Sequence, residues 1–181
     1  MTAPEPFLGV LDRTPVRHHI LSVLVENKAG VLARIAGLFA RRGFNIYSLA
    51  VAPAESNARF SRVTIVVDAE SAPLEQIVGQ LDKLVNVVAI SDISPKDALE
   101  RELLLATIKT DVDNRTSLLD TIAAAGAAIV DVDAKSVTVM LAATPKGCDD
   151  LEKALEDFSE VELHRTGRVA LPRLGKTANI H

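Results

Sequence analysis

Four consecutive residues, Asn27-Lys28-Ala29-Gly30, carry most of the chemistry that this sequence offers. They follow an apolar run over residues 19–25 and precede a helix-period run over residues 31–42. A turn from a strand tip into a helix aims several backbone N–H groups at one spot, and that spot favours a small carboxylate. The Asn27 amide both donates and accepts, so it can hold an amino-acid head group. Gly30 has no Cβ and leaves room for a ligand. Asn45, at the head of the next extended run, is a candidate second polar anchor, and Ile46 or Val31 would take an aliphatic ligand side chain. A structural role uses the same residues: Asn27 turns the strand, and Gly30 permits close strand–helix packing. Spacing alone does not decide between the two.

Other candidate motifs fail on their own chemistry. Gly175-Lys176-Thr177 resembles the end of a phosphate-binding loop, but Ala170 stands where the earlier glycine is required. Asp111, Asp113 and Asn114 resemble the start of a calcium loop, but Ile122 occupies the place of its bidentate glutamate. No two glycines lie two apart, so there is no dinucleotide fingerprint. His18 and His19 are adjacent on a strand and face opposite ways, which does not suit one metal. Cys148 with His164 as its base would make a nucleophile, though nothing local supports the pairing. A chain so poor in catalytic groups reads as a sensor of a small acid, with no catalytic residues of its own.

The elements around the turn repeat once. Residues 19–25, 31–42, 44–52, 59–68, 73–85 and 87–93 read as strand, helix, strand, strand, helix, strand. Pro73 suits a first helical turn. Residues 102–109, a helix through Leu118, Leu119 and Ile122, a hairpin over 128–132 and 136–142, a helix through Leu151, Leu155 and Phe158, and a strand over 161–171 repeat the order. Asp113 is a plausible cap for the third helix, Gly126 ends it, and Pro172 ends the last strand. Two β-α-β-β-α-β units predict an α+β fold of two tandem ferredoxin-like sandwiches. Each unit is small for its own core, so side-by-side pairing of sheets, within or between chains, is expected.

Composition narrows the function further. The 181 residues are 48% hydrophobic but only 3% aromatic, so the core is aliphatic. Lys plus Arg number 20 against 24 Asp plus Glu, a net charge of −4 with no basic stripe, which argues against nucleic acid. The central strands, residues 20–25 and 62–67, hold no aromatic to stack a base. No run reaches membrane-span length and no secretory signal is visible, so the expected location is the cytoplasm. One cysteine excludes an intramolecular disulfide.

The run Val23-Leu24-Val25-Glu26-Asn27-Lys28-Ala29-Gly30-Val31-Leu32, with Arg42-Gly43-Phe44-Asn45-Ile46 and Ser48-Leu49, resembles the regulatory (small) subunits of acetolactate synthase. The likeness continues through Arg62-Val63-Thr64-Ile65, Arg101-Glu102-Leu103, Ile129-Val130-Asp131-Val132 and Gly167, Val169, Leu171 and Arg173. It implies an amino-acid-sensing ACT domain over residues 18–93; the start (1–17), with Pro4, Pro6 and Pro15, reads from its own composition as a flexible arm and has no clear family counterpart. A linker (94–101), a second ferredoxin-like domain (102–172) and a tail (173–181) would follow. It implies a homodimer through the ACT domain with valine bound at its interface. Asn27, Lys28, Ala29, Gly30, Val31 and Leu32 would form one side, and Asn45 and Ile46 would come from the partner chain. The implied protein partner is a large catalytic subunit carrying thiamine diphosphate, Mg2+ and FAD, with no cofactor on this chain. The small subunit activates it and confers feedback inhibition in valine, leucine and isoleucine synthesis. Tyr47 departs from the acidic residue usual there, and Pro172 and Leu174 alter the usual Leu-Ser-Arg-Gly ending. Two alternatives remain at this stage: an ACT-type sensor acting on a transcription factor or another enzyme, and a small Cys148–His164 enzyme.

Overall fold

A computed structural model describes residues 18–54, 59–68, 73–158 and 160–181; the expected arm over 1–17 lies outside them. The first unit is β1 (His18–Glu26), α1 (Val31–Arg42), β2 (Ile46–Pro53), β3 (Phe60–Asp68), α2 (Leu74–Leu81) and β4 (Val87–Ile93). A 3-10 turn, Pro95–Asp97, leads to β5 (Ala98–Lys109), α3 (Val112–Ala125), β6 (Ala128–Val132), β7 (Ser136–Ala143), α4 (Pro145–Leu155) and β8 (Glu160–Arg165). Two short strands follow, β9 (Val169–Pro172) and β10 (Asn179–Ile180). The sheets run β10-β4-β1-β3-β2 and β6-β7-β5-β8, and every recorded pairing is antiparallel. The same ferredoxin-like order thus occurs twice, as the repeated pattern predicts.

Periodicity decides which face of each element is buried. In α1, Val31, Ile35, Leu38 and Phe39 fall on one stripe and are buried. They pack with Ile77, Val78 and Leu81 of α2 against Leu21, Val23, Val25, Val63, Ile65 and Val67 of the strands. The second core is built the same way: Leu104, Ala106, Ile108, Val137, Val139 and Leu141 meet Leu118, Ile122, Cys148, Leu151 and Leu155. On the other face of the first sheet, Ile20 and Ile93 pack with Ala98 and Ala170, so the two domains share a third, smaller apolar contact.

Several boundaries differ from the sequence reading, each for a local reason. The linker expected over 94–101 is shorter, because residues 98–101 already belong to β5 and pair with β9. The strand expected over 161–171 is two strands, broken at residues 166–168 around the positive-φ Gly167. The expected tail is partly structured, with β10 pairing to β4 at Asn179 and Ile180. The cap of α3 is Asp111, whose carboxylate accepts the Asn114 N–H at 2.9 Å; Asp113 already sits inside the first turn. Pro73 is the cap residue before α2 and not its first helical residue. Phe44 turns inward to the core, so β2 starts at Ile46. Pro172 is the last residue of β9, as its missing N–H predicts.

Ile65 is fully buried at the centre of the first core. Ile65→Ala is expected to lower the unfolding free energy by about 2–5 kcal/mol, read as a lower urea midpoint at unchanged slope. A midpoint equal to that of the wild type would contradict this core.

Candidate functional site

The turn after β1 is built by backbone hydrogen bonds to distant loops. The Glu26 N–H donates to the Asn86 carbonyl and the Asn27 N–H to the Arg59 carbonyl, each at 2.9 Å. The Lys28 N–H donates to the Glu26 carbonyl at 2.9 Å, and the Val31 N–H to the Lys28 carbonyl at 3.3 Å. Gly30 stands at the cap position of α1 with φ 84° and ψ −7°. This left-handed conformation explains the glycine, because a Cβ there would meet nothing within 4 Å. Close strand–helix packing, the structural role the sequence allowed, is therefore not what Gly30 does. The space in front of it is open.

No side chain caps α1, and its first turn holds no acidic residue. The partial positive charge of that helix end is not neutralised by its own sequence. Asn27, Lys28, Ala29 and Gly30 are all exposed, and Leu32 is 43% exposed. Val31 is different. It is 5% exposed and belongs to the core, so it supports the turn from below.

A polar network that the sequence did not signal holds this turn. Glu26 accepts from Lys28 Nζ at 3.0 Å through Oε1 and from Asn86 Nδ2 at 2.6 Å through Oε2. Arg34 donates to Asn86 Oδ1 at 2.7 Å. The Asn86 amide, and next the Lys28 ammonium, hold the Glu26 carboxyl below its ordinary range. Asn86 and Glu26 are sixty positions apart, and no local pattern links them.

Asn45 and Ile46 lie elsewhere. Glu26 pairs with Phe60 at one end of β3, while Ile46 pairs with Val67 near the other. The seven residue steps between Phe60 and Val67 span about 24 Å. One chain cannot bring Asn27 and Asn45 to a ligand the size of an amino acid. Among the described residues β2 is the edge strand on one side of its sheet, and the two-residue β10 is the edge on the other.

The Cys148–His164 pair is not assembled. Cys148 is fully buried in the second core, and burial pushes its thiol pKa up. His164 is exposed, pairs with Glu162 at 3.3 Å and sits opposite Leu105 on the outer face of that sheet. Among the described residues no group of three His, Cys, Asp or Glu could hold a metal ion, and no helix is long and apolar enough to cross a membrane.

Because the folded Glu26 pKa is depressed, its contribution is present above the unfolded value and is lost as pH falls through the folded one. A carboxyl-resolved NMR titration should place the Glu26 inflection below that of an ordinary glutamate. Asn86→Ala should move it back up, and no change on that substitution would remove Asn86 from the network.

Comparison with known proteins adds to this geometry. Residues 21–89 match the family described as AHAS small subunit-like ACT domain, and residues 101–174 match the family described as small subunit of acetolactate synthase. The acetolactate synthase small subunit of Mycobacterium bovis is 44% identical over 155 residues, covering 86% of this chain and 92% of that one. The protein of that name from Mycolicibacterium smegmatis is 43% identical over 155 residues, covering 86% and 91%. The crystal structure of the small subunit from Thermotoga maritima superposes with TM-score 0.81 at 33% identity, covering 89% of this chain and 100% of that one.

Proposed function

The chain belongs to the family of acetolactate synthase small subunits, and from that premise we propose that it is a regulatory subunit that senses valine. Two copies pair through β2, and each interface holds valine between the 27–32 turn of one chain and Asn45 and Ile46 of the other. The observation that carries this reading is the uncapped, glycine-started end of α1, set about 24 Å from the second predicted anchor in the same chain. A two-fold axis through the exposed β2 edge runs the two β2 strands antiparallel. That places the partner chain's strand start beside this chain's β1 tip.

Each group then has a role. The N–H groups opening α1 and the Lys28 ammonium attract the ligand carboxylate. The Asn27 amide and the partner's Asn45 amide serve its ammonium group. Leu32, half-exposed, and the partner's Ile46 take the aliphatic side chain. The chain does no chemistry itself. It works in the cytoplasm on a large catalytic subunit, which supplies thiamine diphosphate, Mg2+ and FAD and makes the acetohydroxy acids of branched-chain synthesis. It raises that subunit's activity, and valine reverses the gain by changing the geometry of the dimer. A coupling of about 1–3 kcal/mol gives an effect of about 5- to 150-fold.

Calorimetry with L-valine, and D-valine as control, tests the reading on the purified chain. Saturable binding of the L form alone is expected, and Asn27→Ala should weaken it by about 1.5–3 kcal/mol. An unchanged affinity removes Asn27 from the site. Co-purification should bring down a thiamine-dependent enzyme; recovery of a transcription factor instead would favour the free-standing sensor.

Gly30→Asp places a carboxylate where the ligand carboxylate sits, at a φ that aspartate tolerates better than most residues. In the reconstituted holoenzyme this variant should still activate but lose valine inhibition. Full valine sensitivity would refute the site.

A further inference from the structure

Strand β2 does not run evenly from Ile46. Ile46 pairs with Val67 and Ser48 with Val66, which leaves Tyr47 as an extra residue in a bulge. The Tyr47 ring centroid lies 4.3 Å from that of His18, and the Arg168 guanidinium sits over the Tyr47 ring at 4.9 Å from its centroid. The Arg168 N–H donates to Ser48 Oγ at 2.7 Å. Gly167 makes that approach feasible. Its φ is +82°, and a Cβ on it would come within 2.8 Å of Ser48 Oγ. The second domain therefore grips the first at the bulge, one residue beyond Ile46.

The grip continues into the second domain through charge. The Arg168 side chain is 11% exposed and faces Glu100 and Glu102, each at 3.3 Å. Glu102 is also held by Arg165, which reaches Asp149 at 2.7 Å and Glu152 at 3.1 Å on α4. An open pocket of about 370 Å³ is lined by Tyr47, Ser48, Glu102 and Arg165, so the bulge and the charge cluster border the same space.

We propose that Tyr47 and Arg168 are positioning residues that carry effector occupancy from the first domain to the second, with the β2 bulge as the element that shifts. The proposal rests on the valine site described above. A bulge residue has no ladder partner, so it is the softest point of its strand. A ligand that draws Asn45 and Ile46 toward the partner chain pulls on that point first. The tyrosine ring transmits the shift because Arg168 is largely shielded from water and cannot relax into it without leaving the ring.

The test uses the holoenzyme with Tyr47→Leu, Arg168→Gln, the double variant and Tyr47→Phe. Valine binding is read by calorimetry on the regulatory chain, and inhibition by turnover of the complex with and without saturating valine. Both single variants should bind valine as the wild type does yet lose about fivefold or more of the inhibition ratio. The double variant should lose no more than either single, and Tyr47→Phe, which keeps the aromatic face, should stay inhibited. Full inhibition in either folded single variant, or additive losses in the double, overturns the proposal. If Tyr47→Leu does not fold, Arg168→Gln and Tyr47→Phe decide it by the same criteria. A wild-type chain that binds no valine sinks the effector reading instead, whereas normal binding with undiminished inhibition in the variants sinks only the relay.

Discussion

Strand direction is the constraint on which the rest of this molecule depends. In the order β4-β1-β3-β2, both β1 and β2 are antiparallel to β3 and so run the same way. The turn that leaves β1 and the residues that enter β2 must then lie at opposite ends of the sheet. No choice of side chains alters this, because it follows from ladder geometry. Any ligand that needs both groups needs two chains. Among the described residues the full-length strand β2 forms one edge of the first sheet, which offers a side for that second chain.

Stability and communication come from different interactions. Each domain closes its own aliphatic core on one sheet face, with helical stripes at three- and four-residue spacing. Those cores hold the domains but do not fix one against the other. That task falls to the apolar packing of Ile20 and Ile93 with Ala98 and Ala170, and to Arg168, whose backbone N–H donates to Ser48 Oγ and whose guanidinium, held within its own domain by Glu100 and Glu102, lies against the Tyr47 ring. Burying a carboxylate is costly unless its charge is matched, and Glu102, 5% exposed, has two guanidinium partners.

The fold was largely legible because it is periodic. Alternation in residues 61–67 and helical spacing in residues 31–39 each name one face, and the second unit repeats the order. Legibility failed where a single residue breaks a period. The bulge at Tyr47 looks like ordinary strand in sequence, and Gly167 looks like one more residue of a continuous strand. Asp111 and Asp113 are both acids near a helix start, and only backbone dihedrals tell the cap from its neighbour. At the candidate site the turn 27–30 was readable from local chemistry. The network that steadies it was not, because Glu26, Arg34 and Asn86 meet only after folding. Val31 was read as a ligand contact from its position beside the turn, yet its side chain points into the core.

A mixed-dimer experiment tests the central claim, that each effector site is shared between two chains. Asn27→Ala and Asn45→Ala chains would be prepared separately, then unfolded together and refolded as a mixture. A shared site predicts that each parent dimer binds L-valine weakly while mixed dimers regain one intact site each, built from the unaltered Asn27 and Asn45. A site formed within one chain predicts no recovery on mixing, and that result would contradict the account.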